Sequence, residues 1–83
     1  MKPASLGEQL REWRVRRRMS QMDLALDSEI STRHLSFIET GRSRPSAAML
    51  QRIADCLEVP HRARNALLLA GGYAPDYQER PLD

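Results

Sequence analysis

The sequence predicts an all-α fold of five short helices with a helix-turn-helix at its centre. Three observations predict it. Apolar residues recur at helical spacing, as in Leu6, Leu10 and Trp13. Serine start signals stand before four of the runs, at Ser5, Ser20, Ser31 and Ser46. Breakers fall between them, at Gly41, Pro45, Pro60 and Gly71-Gly72.

Met1 to Ala4 reads as a frayed arm, with Pro3 as a breaker. Ser5 opens the first helix in the pattern S-x-x-E, with Glu8 as the reciprocal acid of a capping box. Leu6, Leu10 and Trp13 form its core stripe. Arg17 continues that stripe, so its stem is expected along the core and its head in solvent. Five arginines fall between Arg11 and Arg18. Two readings of them stay open: a solvated basic helix end that complements the C-terminal dipole, or phosphate contact by one or two members, Arg18 among them.

Ser20 caps the second helix with Asp23 three residues on, while Met19 and Leu24 form a hydrophobic staple. The pattern then repeats with Ser31 as cap, Ile30 before it and Leu35 at the fourth helical position. Two caps eleven residues apart (20 and 31) leave room for about two turns, a tight corner and a new helix, which is helix-turn-helix geometry. At about 100° per residue, Leu35 and Ile38 point inward with His34 at their edge. Thr32, Arg33, Ser36 and Phe37 point the other way. Gly41 ends the helix, since glycine takes a left-handed position without steric penalty. A helix this short must dock through Leu35 and Ile38, leaving hydroxyls, a guanidinium and a ring on a free face.

The loop Gly41-Arg42-Ser43-Arg44-Pro45 carries two guanidiniums and a hydroxyl. Ser46 caps a fourth helix in which Leu50, Ile53, Ala54 and Leu57 share one core face, and Val59-Pro60 breaks it. A fifth helix runs from about Pro60 to Ala70. Its Leu67-Leu68-Leu69 run with Ala63, Ala66 and Ala70 is apolar around too much of the circumference for a surface helix. One leucine must therefore be exposed or meet a partner. The domain is expected over 5–71, followed by an extended or disordered tail over 72–83.

Composition excludes several classes. A chain of 83 residues is one small domain, burying only about 60% of its unfolded surface. No apolar run approaches the roughly 20 residues needed to cross a bilayer, and no signal segment opens the chain, so a cytoplasmic protein without a membrane partner is expected. The single Cys56 excludes an internal disulfide and reads as a small semi-buried filler, with a redox thiol as the lesser alternative. His34 and His61 lack metal-ligand spacing, so neither a metal nor a cofactor is expected. No nucleophile–base pair, paired carboxylates or phosphate-cradling glycine loop occurs, so no catalytic residue is assigned and no enzyme is expected.

Ser20-Gln21, Leu24-Ala25, Ile30-Ser31, Leu35, Ile38-Glu39, Gly41-Arg42, Pro45 and Leu57-x-Val59 together resemble the lambda-repressor-like, Cro/XRE class of helix-turn-helix regulators, over roughly residues 6 to 70. The stretch STRHLSFIETGRSRPS, followed by RNALLLAGGYAP, is similar to bacterial regulators in which this domain precedes a MmyB-like ligand-binding domain. That C-terminal ligand-binding domain is missing from the sequence, which reads as a short form or a piece of a longer regulator. The resemblance implies double-stranded DNA as partner. Ser31, Thr32, Arg33, Ser36 and Phe37 match positions facing base edges. Gln21 matches a residue that binds a phosphate and buttresses the reading helix, and Arg42, Ser43 and Arg44 match a loop gripping backbone phosphates. Arg14 and Glu39 match a buried ion pair. The family usually has Gly where this chain has Glu29, and a left-handed Glu costs about 1 kcal/mol or more relative to Gly.

A major groove about 12 Å wide admits one helix, over about residues 32–40. There Arg33 can fork onto guanine, and Thr32 and Ser36 can bond to base edges. Phe37 seeks a thymine methyl or sugar, or else covers the domain's own core. His34 reads as a partly buried helix residue, with a phosphate contact or pH switch as the minority reading. Such a footprint gives a shallow salt slope of about −3 per monomer. Specific regulation therefore implies a homodimer on palindromic half-sites about 34 Å apart, with Leu67, Leu68 and Leu69 as the dimer or domain contact. An antitoxin-like interaction module of the same fold, with DNA binding secondary, is the alternative.

Overall fold

The computed structural model describes residues 4–74. They form α1 (Leu6–Arg16), α2 (Gln21–Ser28), α3 (Thr32–Glu39), α4 (Ala47–Cys56) and α5 (His61–Ala70), with no strand among the described residues. The all-α fold with a central helix-turn-helix is the one expected.

Local chemistry starts the helices where the serines stand. Ser5 and Ser20 make complete capping boxes with Glu8 and Asp23. Ser31 Oγ accepts from the His34 amide at 2.9 Å, and Ser46 Oγ accepts from the Met49 amide at 3.1 Å. Each bond satisfies an amide that the first turn leaves unpaired, worth about 1 kcal/mol. Only α5 starts differently, on Pro60 without a side-chain cap.

All five of these helices end in one way. A left-handed residue follows the last turn: Arg18 (φ 60°), Glu29 (61°), Gly41 (83°), Glu58 (54°) and Gly72 (88°). The next amide then reaches back to a carbonyl in the last turn: Met19 to Arg14, Ile30 to Ala25, Arg42 to Phe37, Val59 to Ala54 and Tyr73 to Leu68, at 2.8–3.0 Å. This closure turns the following side chain back onto the helix end. In four cases that side chain is apolar (Met19, Ile30, Val59, Tyr73) and packs in or against the core. In α3 it is Arg42. Glu29 adopts the left-handed conformation (ψ 41°), so the corner of the helix-turn-helix accepts the expected strain without changing geometry.

Leu10, Leu24, Leu35, Ile53, Leu57 and Leu67 are fully buried at the centre. Burying each leucine contributes about 1.5–3 kcal/mol. α3 packs on α1 and α2, α4 on α2 and α5, and α5 also on α1. The α1–α3 crossing is tight enough to exclude a side chain. A Cβ on buried Gly7 would overlap the Glu39 carbonyl oxygen and lie 2.7 Å from that of Ile38.

Three expectations are corrected or completed. Leu67 and Leu68 belong to the core, at 0% and 2% exposure, and only Leu69 is open, at 59%. Helical rotation of about 100° per residue turns the third leucine away from the surface that buries the other two. Arg17 is exposed as expected, but its head is not left to solvent alone. Its Nε and Nη2 donate to the Leu57 and Glu58 carbonyls, each at 2.8 Å, meeting acceptors that the end of α4 leaves open. The segment after α5 begins as packed structure: Tyr73 Oη donates to the Pro45 carbonyl at 2.7 Å. The rest of the expected tail, 75–83, lies outside the described residues.

Candidate nucleic-acid interface

α3 is anchored from behind by a charged cluster. Arg14 Nε donates to Glu39 Oε2 at 2.7 Å and Nη2 to Oε1 at 3.1 Å, a fork-on-fork pair. Arg14 Nη1 also donates to the Met19 carbonyl at 2.9 Å, tying in the α1–α2 turn. Gln21 Nε2 completes the cluster on Glu39 Oε1 at 2.9 Å. A buried carboxylate is tolerated only when paired and hydrogen-bonded, and Glu39 has both. Gln21 therefore props the end of α3, and it does so from the first residue of α2.

In front, α3 presents the residues that its periodicity placed there. Thr32 and Arg33 are exposed, as is the cap Ser31, while Ser36 and Phe37 are half-buried. Leu35 and Ile38 face inward. The Phe37 ring has a guanidinium on either flank of the sequence: Arg33 and Arg42 each lie 5.5 Å from its centroid. The Phe37 carbonyl accepts the amides of Arg42 at 2.8 Å and Ser43 at 3.2 Å. Ser43 Oγ lies 3.4 Å from His34 Nε2, joining the loop to the edge of α3.

The two loop arginines part company. Arg42 is exposed beside α3. Arg44 is exposed as well, but it turns toward α5, where its Nε donates to the Gly71 carbonyl at 2.8 Å and its guanidinium lies 4.7 Å from the Tyr73 ring centroid. Arg18 is exposed on the α1–α2 turn. The fold thus gathers Arg33, Phe37, Arg42 and Ser43 on one side, and Arg14, Gln21 and Glu39 behind them. Leu67 to Leu69 are on α5, outside this group.

Sequence reasoning missed Gly7, the carbonyl partners of Arg17, and the role of Tyr73. An isolated glycine inside a helical pattern is a signal of close backbone approach, and Gly7 carried it. Nothing local marked the other two, whose partners are 40 and 28 residues away.

Two short helices meeting at a left-handed corner, the second held from behind and bare in front, define a helix-turn-helix domain. A family profile described as "Helix-turn-helix domain" matches residues 5–67, and the chain belongs to that family, in the Cro/XRE-like form. It is similar to the HTH-type transcriptional repressor RghR of Bacillus subtilis (strain 168), 34% identical over 76 residues, covering 90% of this chain and 54% of the relative. It is also similar to the uncharacterized HTH-type transcriptional regulator RghRB of the same strain, 36% identical over 74 residues, covering 88% of this chain and 51% of that relative. The chain spans about half the length of the curated relatives it matches. No described helix is long and apolar enough to cross a membrane.

Proposed function

We propose that this domain binds double-stranded DNA sequence-specifically, as the reading module of a transcriptional regulator. The observation that carries the reading is the division of α3: Leu35 and Ile38 hold it to the core, while Thr32, Arg33 and neighbouring Arg42 are exposed together. A helix so held enters a major groove with its N-terminal residues toward base edges. Arg33 forks onto guanine O6 and N7, with Ser31, Thr32 and Ser36 as hydroxyl partners of neighbouring edges. Arg42, Ser43 and Arg18 meet backbone phosphates, and Gln21 supports α3 through Glu39. Arg44 is assigned instead to the junction with α5. The names of the two relatives, a repressor and a regulator, support this reading.

One such footprint binds weakly, so the domain acts as a homodimer on a palindromic site. Leu69, exposed on α5 beside exposed Ala66 and Ala70, is the contact we assign to it. The chain covers 54% and 51% of the two relatives, which leaves room in a longer protein for the C-terminal ligand-binding domain that the family resemblance implies.

Selection from random duplexes at moderate salt tests the whole reading. One preferred palindromic site is expected, and Arg33→Ala should relax preference at one base pair in each half. A pool that returns no preferred sequence would favour the interaction-module alternative. Leu69→Glu should leave the fold intact and break the dimer; an unchanged oligomer would sink the α5 contact.

A further inference from the structure

We propose that Phe37 is a positioning residue, whose ring presets the Arg33 and Arg42 guanidiniums for their DNA contacts rather than reading a base itself. The inference rests on the DNA-binding reading above and adds to it a source of preorganisation.

The observation begins with how α3 ends. In the other four helices, the residue after the left-handed position is apolar and turns into the core. In α3 the same turn delivers Arg42 onto Phe37, the residue whose carbonyl takes the Arg42 amide at 2.8 Å. A closure that elsewhere places a hydrophobic side chain here places a guanidinium. Arg33 arrives on the same ring from one helical turn earlier, at the same 5.5 Å. Two like charges gathered on one ring would separate if solvent alone held them. The ring's negative faces attract both.

What the ring holds, it leaves usable. A stacked guanidinium engages its plane and keeps its N–H edge outward. Among the described residues neither Arg33 nor Arg42 donates a side-chain hydrogen bond to the protein. Trp13 offers a contrast. It also carries two guanidiniums, of Arg16 and Arg17, but Arg17 spends its N–H groups on the carbonyls at the end of α4. The Phe37 pair faces outward with its donors open. A long side chain already restrained loses less freedom on binding, so affinity and discrimination both gain.

The experiment compares wild type, Phe37→Leu, Phe37→Trp, Arg33→Ala and the Phe37→Leu/Arg33→Ala double variant on the duplex returned by selection. Phe37→Leu should weaken binding about tenfold, since two exposed cation–π contacts are each worth a factor of about two to five. It should also flatten discrimination at the base pair Arg33 reads. Phe37→Trp should restore both. In the Arg33→Ala background Phe37→Leu should lose only about threefold, the Arg42 share. Replacing the duplex thymines by uracil should leave wild-type affinity unchanged. A loss on uracil in wild type that vanishes in Phe37→Leu would show a ring reading the methyl group, and would overturn the proposal. In the free protein, nitrogen-15 relaxation at Nε should show Arg33 and Arg42 more mobile in Phe37→Leu than in wild type and Phe37→Trp. Equal mobility in all three overturns the positioning role even if selection finds no site, whereas a failed selection alone removes only the DNA-binding reading.

Discussion

Arg14 and Glu39, 25 residues apart in sequence, meet edge to edge with their side chains 12% and 3% exposed. The pair joins the first helix to the end of the third, and Gln21 adds the second helix to the same carboxylate. Burying an ion pair is costly, so the pair itself need not stabilise the fold. Removing half of it is another matter. Arg14→Ala should lower unfolding free energy by about 3–5 kcal/mol, because the buried Glu39 carboxyl would be left with only Gln21 as partner. Arg14→Met combined with Glu39→Leu should recover most of that loss. Urea denaturation of the two variants checks both, and a single variant as stable as wild type would refute the argument.

Gly7 gives a sharper prediction. Its missing side chain is the space in which the Glu39 and Ile38 carbonyls sit. Backbone cannot swing aside as a flexible side chain can. Gly7→Ala should therefore destabilise by about 3 kcal/mol, despite alanine's better helix propensity of about 1 kcal/mol. Thermal unfolding measures it; a stabilised variant would mean that α1 and α3 do not cross here.

The left-handed closures predict opposite signs at two sites. Glu29 holds φ 61° with its side chain open and only a 4.0 Å approach to Arg52. Glu29→Gly should raise stability by about 1 kcal/mol. A Cβ added to Gly41 would meet nothing within 4 Å, yet the residue's φ is 83°. Gly41→Ala should lower stability by about 1 kcal/mol, through backbone strain alone. Matched denaturant melts of both variants decide the point.

Arg42 and Arg44 separate binding from folding. On the proposed reading, Arg42→Ala reduces the slope of log affinity against log salt by about one. Arg44→Ala leaves that slope unchanged and instead lowers stability by about 1–2 kcal/mol, through its bond to the Gly71 carbonyl and its stacking on Tyr73. Binding isotherms at stepped salt, with a melt of each variant, distinguish them. Equal salt slopes for the two variants would contradict the assignment.

What was legible in the sequence was local. A serine and an acid three residues apart announce a helix start without help from the rest of the chain, and Ser5 and Ser20 did so; Ser31 did it as a cap alone. The facing of Leu35 and Ile38 followed from periodicity. Helix ends were harder, because three of the five left-handed positions hold Arg18, Glu29 and Glu58 instead of glycine. The apolar residue after each of them was the readable sign, since it must turn back to reach the core. Long-range partnerships left no local trace. Arg42 and Arg44 are two residues apart and chemically identical, and only the position of α5 gives Arg44 a partner in Gly71. The Arg14–Glu39 pairing was available through family likeness alone, and Leu67 to Leu69 could not be sorted until a neighbour buried two of them.

The bonds from Tyr73 to Pro45 and from Arg44 to Gly71 leave no slack at the end of the described residues. Tension applied past Ala74 is transmitted through the Tyr73 phenol to the backbone just ahead of α4, three residues from Arg42.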